Sequence, residues 1–137
     1  MGTKMLILDD YCFVCGKDNP KGLRVKFRYG NGHAEAEFVL DREYQGYKDI
    51  VHGGIISCII DEACAYATLS LGVKAYTAKM YVRFRRPVRT GELLSVTSNA
   101  RMLKSKLIEA QAQIKDLKGN IVAEGDARFI VYDEEAS

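Results

Sequence analysis

The 137 residues, 47% hydrophobic and 28% charged, have the proportions of one soluble globular domain, residues 1–137, long enough to bury a core. A formal net charge of +2 gives no argument for a nucleic-acid partner, and no apolar run reaches the roughly 18–20 residues of a membrane span. The apolar patch Met5–Leu8 is shorter than the roughly 7–15-residue core of a signal peptide and runs into Asp9-Asp10, so the chain is expected to be cytoplasmic.

In chain order, Cys12-Phe-Val-Cys15 comes first. It has the spacing of half a zinc site, but there is no second such pair, and the only histidines are His33 and His52. A structural zinc takes about four ligands. The favoured reading is a pair of reduced, partly buried thiols, with no metal bound; a metal shared between subunits is the other. Cys58 and Cys64 fall in an apolar helical stretch, where cysteine behaves as a small hydrophobe.

From Gly22 to Leu40 the pattern is a hairpin. Leu23, Val25, Phe27 and Tyr29 alternate with Arg24, Lys26 and Arg28, the period-2 pattern of a half-buried strand. Gly30-Asn31-Gly32 is the turn, and Ala34, Ala36, Phe38 and Leu40 continue the period. A loop over Asp41–Asp49 leads to His52-Gly53-Gly54 and a helix predicted over about Gly53–Leu71, stopped by Gly72. Strand patterns follow at Ala78–Phe84 (ended by Pro87), about Glu92–Met102, about Leu107–Leu117 and Ile121–Val131. Two strands, one long apolar helix and four more strands predict an α+β fold with a largely antiparallel sheet wrapped on the helix.

The helix is not apolar all round. At ~100° per residue, Ser57, Cys64 and Thr68 share a side with Asp61, the one charge in that stripe, while Glu62 points about 100° away. Ile55, Ile56, Ile59, Ile60, Ala63 and Ala67 supply the faces that pack on the sheet. A buried carboxylate must be paired, hydrogen-bonded or protonated. Asp61 is therefore either a structural group meeting a partner across an interface or a functional one. Glu62 reads as exposed or salt-bridged.

The His-Gly-Gly start favours function. The first amides of a helix lack intrahelical partners and lie at the positive end of the dipole. Two glycines let a ligand approach them, the requirement for an oxyanion hole at the Gly53 amide. Gly53 and Asp61 lie ~12 Å apart along one helix, too far for one carbonyl to meet both. Antiparallel helices in a symmetric dimer would bring Gly53 of one chain to Asp61 of the other.

From Arg83 to Lys106 the basic residues are Arg83, Arg85, Arg86, Arg89, Arg101, Lys104 and Lys106, with Glu92 the one acid. This is either a solvated strand surface or a rim for an anionic small molecule.

With these motifs in place, the chain resembles the hotdog-fold acyl-CoA thioesterases, in particular the phenylacetic-acid-degradation-type group of the 4-hydroxybenzoyl-CoA thioesterase superfamily. The resemblance runs from CFVCGKDNPKGL through YVRFRRPVRTGELL to GNIVAEGDARFIVYD and is most specific at His52-Gly53-Gly54 with Asp61. It implies the hotdog fold, a long central helix wrapped by a curved antiparallel sheet of about six strands. It also implies active sites at a homodimer interface, and dimers pairing into homotetramers. Asp61 matches the catalytic carboxylate, acting as general base or nucleophile. Gly53 matches the oxyanion-hole amide donated by the partner chain, and Thr77 a residue that helps hold the water. His52 and Gly54 belong to the same turn, with His52 shaping it rather than moving protons. Some relatives carry an Asn in the loop before this turn; here the nearest substitute is Gln45. Arg83, Arg85, Arg86 and Lys104 are candidates for the phosphates of coenzyme A. The implied reaction is hydrolysis of an acyl-CoA thioester with no metal or organic cofactor, and no nucleic-acid or membrane partner.

Three other readings stay open: a non-catalytic acyl-CoA-binding module, a hotdog dehydratase or hydratase, and a ligand-free structural dimer. A dehydratase needs a catalytic histidine, and neither His33 nor His52 fits that role well. Tyr44, Tyr47, Tyr66 and Tyr76 either line a pocket or pack.

Overall fold

The structure is a computed structural model, and residues 7–132 are described; the first half of the Met5–Leu8 patch and the last residue of the GNIVAEGDARFIVYD stretch lie outside them. Six strands form one antiparallel sheet: β1 Arg28–Gly30, β2 His33–Val39, β3 Ala75–Phe84, β4 Leu93–Lys104, β5 Leu107–Lys115 and β6 Ile121–Val131. Their spatial order is β1-β2-β4-β5-β6-β3, so β3, which follows the helix, is an edge strand. One helix, α1 (Gly53–Leu69), packs against the sheet and touches all six strands. None of the described helices is long and apolar enough to cross a membrane.

Binary patterning accounts for the core. Ala34, Ala36 and Phe38 of β2, Leu94 and Val96 of β4, Ile108, Ala110, Ala112 and Ile114 of β5, and Ala123, Ala127 and Phe129 of β6 all bury the same face. Ile56, Ile59, Ile60, Ala63, Cys64 and Ala67 of α1 meet them. Half of these strand positions are alanine, which lets the helix lie close. The limiting case is Gly125 on β6, where a Cβ would stand 2.6 Å from Ile60 Cγ2.

The hairpin expected from Gly22 is shorter than its pattern. Only Arg28–Gly30 pairs with β2. Leu23 and Val25 donate their amides to Phe13 and Val14 of the preceding segment, and Arg24 turns left-handed at φ 57. Val25 and Phe27 are nevertheless buried, as their alternation requires. The turn comes where expected, with Asn31 (φ 53) and Gly32 (φ 77) both left-handed, the geometry that matches strand twist. The predicted helix end is two residues long: Leu69 is the last helical residue, Ser70 caps it, and Gly72 turns at φ 88. The four later strands fall within three residues of their predicted bounds at every end.

Candidate active site

α1 begins from an extended residue. His52 is its N-cap (φ −62, ψ 133), and His52 Nδ1 accepts the Gly54 amide at 2.9 Å. That hydrogen bond needs Nδ1 unprotonated. The Ile55 and Ile56 amides reach the His52 carbonyl at 3.0 and 3.3 Å. Among the described residues the Gly53 amide donates to no acceptor, and Gly53 is exposed. It borders a cavity of about 300 Å³ floored by Ile56 and Val88 and flanked by Phe84, Arg85 and Arg86. An added Cβ on Gly53 would only touch the Phe84 ring, at 3.6 Å. Sequence reasoning missed Phe84. It ends a period-2 strand, and only the return of β3 alongside the start of α1 makes it a neighbour of Gly53.

Two turns along α1, Asp61 is half-buried, and its Oδ1 accepts the Thr77 hydroxyl at 2.7 Å. Thr77 comes from β3, where the pairing with β6 slips: Thr77 faces Phe129 but Lys79 faces Arg128, leaving Ala78 as an extra residue. Such a bulge re-aims the side chains beside it. The structure therefore brings together Asp61 and Thr77, sixteen residues apart in sequence. The other stripe members divide. Ser57 stays half-buried, whereas Cys64 and Thr68 are in the core. Burial, with Asp61 adding, pushes the Cys64 thiol up to about 12.

Gln45 is partly engaged within its own loop. Oε1 accepts the Asp49 amide at 3.0 Å and stabilises a loop in which Asp49 is left-handed at φ 63. The basic run does not form one rim within a protomer. Arg83, Arg85 and Arg86 lie at the Phe84 end of β3, Arg85 paired with Glu124 and the Arg83 guanidinium 5.9 Å from the Tyr81 ring centre. Lys104 faces Leu107, which faces Ile130, which faces Tyr76 at the opposite end of β3. Seven residues of strand, ~23 Å, separate Tyr76 from Arg83. Arg101 is held by Glu109. His33 is remote too, bonded to Glu35 and Asn99 beside β1.

Among the tyrosines, Tyr44 donates to the Gly22 carbonyl, and Tyr47 and Tyr76 are exposed. Tyr66 stacks on Phe27 at 5.0 Å and donates to Cys15 Sγ at 3.1 Å. Glu62 is half-buried and faces the N-terminal cysteines, accepting from Cys12 Sγ at 3.3 Å. Burial, with Glu62 adding, pushes the Cys15 thiol above its ordinary range; burial and the Cys15 hydrogen bond do the same to the Tyr66 hydroxyl.

Residues 48–123, which include the Gly53 turn, Asp61, Thr77 and the Arg83–Arg86 run, match the profile of the thioesterase superfamily. A curated protein of Archaeoglobus fulgidus that carries an esterase name is 26% identical over 92 residues, which is 67% of this chain and 60% of that protein. The chain thus matches only about 60% of the length of that relative. Among solved structures, one described as a thioesterase superfamily protein is 24% identical with a TM-score of 0.82, covering 88% of this chain and 60% of the other. The E. coli PaaI protein from the phenylacetic acid degradation operon is 21% identical with a TM-score of 0.76, covering 81% of each chain. A Streptococcus mutans UA159 protein solved with acetyl-CoA is 16% identical, TM-score 0.74, over 78% of this chain and 87% of the other. The fold, with one α-helix on a six-stranded antiparallel sheet among the described residues, is that of these hotdog thioesterases, and the chain belongs to the thioesterase superfamily.

Proposed function

We propose that the protein is an acyl-CoA thioesterase, hydrolysing a thioester to a free acid and coenzyme A, with Asp61 as general base or nucleophile. The observation that carries this reading is the Asp61 carboxylate, half-exposed in the middle of α1 and oriented by Thr77 at 2.7 Å. Thr77 occupies Oδ1, so Oδ2 is left to take a proton from water or to attack the carbonyl carbon. Two further findings support it. The S. mutans neighbour was solved with acetyl-CoA, and a Streptococcus pneumoniae TIGR4 neighbour with coenzyme A. Two variants of a hypothetical thioesterase from S. pneumoniae TIGR4 replace an aspartate and a threonine with the same sixteen-residue separation as Asp61 and Thr77.

The Gly53 amide supplies the oxyanion donor, and Phe84, Arg85 and Arg86 border the approach to it. Gly53 and Asp61 stand ~12 Å apart on one helix, so a working site takes Gly53 from one chain and Asp61 from its partner. The dehydratase reading is disfavoured because His33 lies by β1 and His52 Nδ1 is bound to the Gly54 amide.

The test is thiol release from a panel of acyl-CoAs. Asp61→Asn should slow hydrolysis ~100-fold or more. Gly53→Pro removes the amide at the first helical position, which tolerates proline, and His52 already has the extended backbone that precedes proline. It should cost ~10²–10³ in kcat with the fold retained. Mixing the two inactive variants should restore about a quarter of native activity, since about half the dimers are mixed and each carries one intact site. No rescue would place both groups in one chain's site. Acyl-CoA binding without thiol release from the native protein would give the binding-module reading instead.

A further inference from the structure

The N-terminal residues 7–27 contain no regular helix or strand. They are held by turns and by backbone bonds such as Leu23 to Phe13 and Val25 to Val14. At the centre of this segment is a tight knuckle. The Gly16 amide donates to the Cys12 carbonyl at 2.8 Å, and the Cys15 amide points at Cys12 Sγ at 3.5 Å. Only glycine fits at position 16, since a Cβ would stand 2.3 Å from the Cys12 nitrogen. The knuckle turns both sulfurs toward α1. There Glu62 meets them, with Oε2 3.3 Å from Cys12 Sγ. Cys12 Sγ, Cys15 Sγ and one Glu62 carboxylate oxygen all lie within 4.8 Å of one another.

We propose that Cys12, Cys15 and Glu62 bind one zinc ion, which pins the N-terminal segment to α1. A tetrahedral zinc with bonds of ~2.3 Å to sulfur and ~2.0 Å to oxygen sets ligand separations of about 3.5 Å for S···O and about 3.8 Å for S···S. Cys12 Sγ and Glu62 Oε2, at 3.3 Å, already stand near that S···O separation, and the other two pairs lie within 4.8 Å. Donors to the sulfurs are already in place: Tyr66 Oη on Cys15 and the Cys15 amide on Cys12. Hydrogen bonds of this kind stabilise thiolates and orient ligands. Tyr66 itself is fixed by Phe27 and by Tyr29, whose ring centre is 4.8 Å away. A cavity of about 320 Å³ borders Cys12, Glu62 and Tyr66, giving a water room to complete the coordination. The charge balances. Two thiols and one carboxylate carry −1, and two thiolates, one carboxylate and a dication carry −1, so binding releases two protons and leaves the net charge unchanged. The pair Cys12-x-x-Cys15 alone is half a site; the third ligand comes from a helix fifty residues away, which spacing does not reveal.

The test uses the full chain, reduced and stripped with chelator, titrated with Co²⁺ alone and then with Zn²⁺. The expected result is one cobalt per chain, with a thiolate-to-cobalt charge-transfer band, the visible band of a tetrahedral site, and displacement by zinc. Cys12→Ser and Cys15→Ser should each remove the charge-transfer band. Glu62→Gln should weaken cobalt binding by more than ~10-fold, since losing even an outer-shell partner of a ligand costs about 10–100-fold, and Cys58→Ser should leave it unchanged. Absence of the band in the native protein overturns the proposal without reliance on any variant. Native-like binding by Glu62→Gln, or one metal per two chains, also overturns it. None of these readouts depends on thioester hydrolysis.

Discussion

Thr68 has a hydroxyl buried with no hydrogen-bond partner among the described residues, although the residue borders the cavity of about 320 Å³. An orphaned hydroxyl costs ~1–3 kcal/mol, and an apolar isostere removes that penalty. Thr68→Val should therefore leave the unfolding free energy unchanged or raise it by about 1 kcal/mol in a urea melt. A loss of similar size would mean that a water in the cavity satisfies the hydroxyl. Cys64 is fully buried, with its thiol pushed up to about 12 by burial first and Asp61 second. It is therefore protonated and shielded at neutral pH. A disulfide reagent should leave Cys64 unlabelled in the native protein and label it after denaturation. Rapid native labelling would show that α1 opens locally.

At the scale of elements, the critical contact is α1 on β6. Gly125 sits where Ile60 approaches, and its Cβ position is also 3.1 Å from the Tyr81 carbonyl on β3. Gly125→Ala must push α1 or β3 aside, an overpacking cost of about 1–3 kcal/mol, measurable as a lower denaturation midpoint. Displacing β3 also displaces Thr77, so thiol release should fall along with stability. An unchanged midpoint would show that Ile60 swings clear at no cost. Period-2 alternation made every strand face readable, since Ala110, Ala112 and Ile114 had to be buried together. It misjudged the length of β1 because alternation records which side chains are buried, not which amides pair. Val25 and Phe27 obey the period while the Val25 amide bonds to Val14 instead of to the sheet.

At the scale of the whole molecule, β3 is a ten-residue edge strand that exposes Tyr76, Tyr81 and Phe84. A long open edge of this kind is a template for pairing. It also carries Thr77 and ends beside Gly53. The proposed site needs two chains, so the smallest active particle should have at least twice the 15.3 kDa mass of one chain by light scattering. Full activity in a 15.3 kDa monomer would sink the shared site.

The sequence by itself determined what depends on neighbours along the chain. The strand periods, the apolar helix, the left-handed turn at Asn31-Gly32 and the placement of Asp61 in the middle of α1 all follow from local sterics and from which faces must avoid water. Tertiary structure alone decided which distant groups meet. It set Thr77 on Asp61 through a bulge at Ala78, brought Phe84 beside Gly53, and tied Gln45 into its own loop. It also separated Lys104 from the Arg83–Arg86 run and turned Glu62 toward Cys12 and Cys15 rather than toward solvent. Those contacts depend on strand order and register, and no single stretch of residues carries that information.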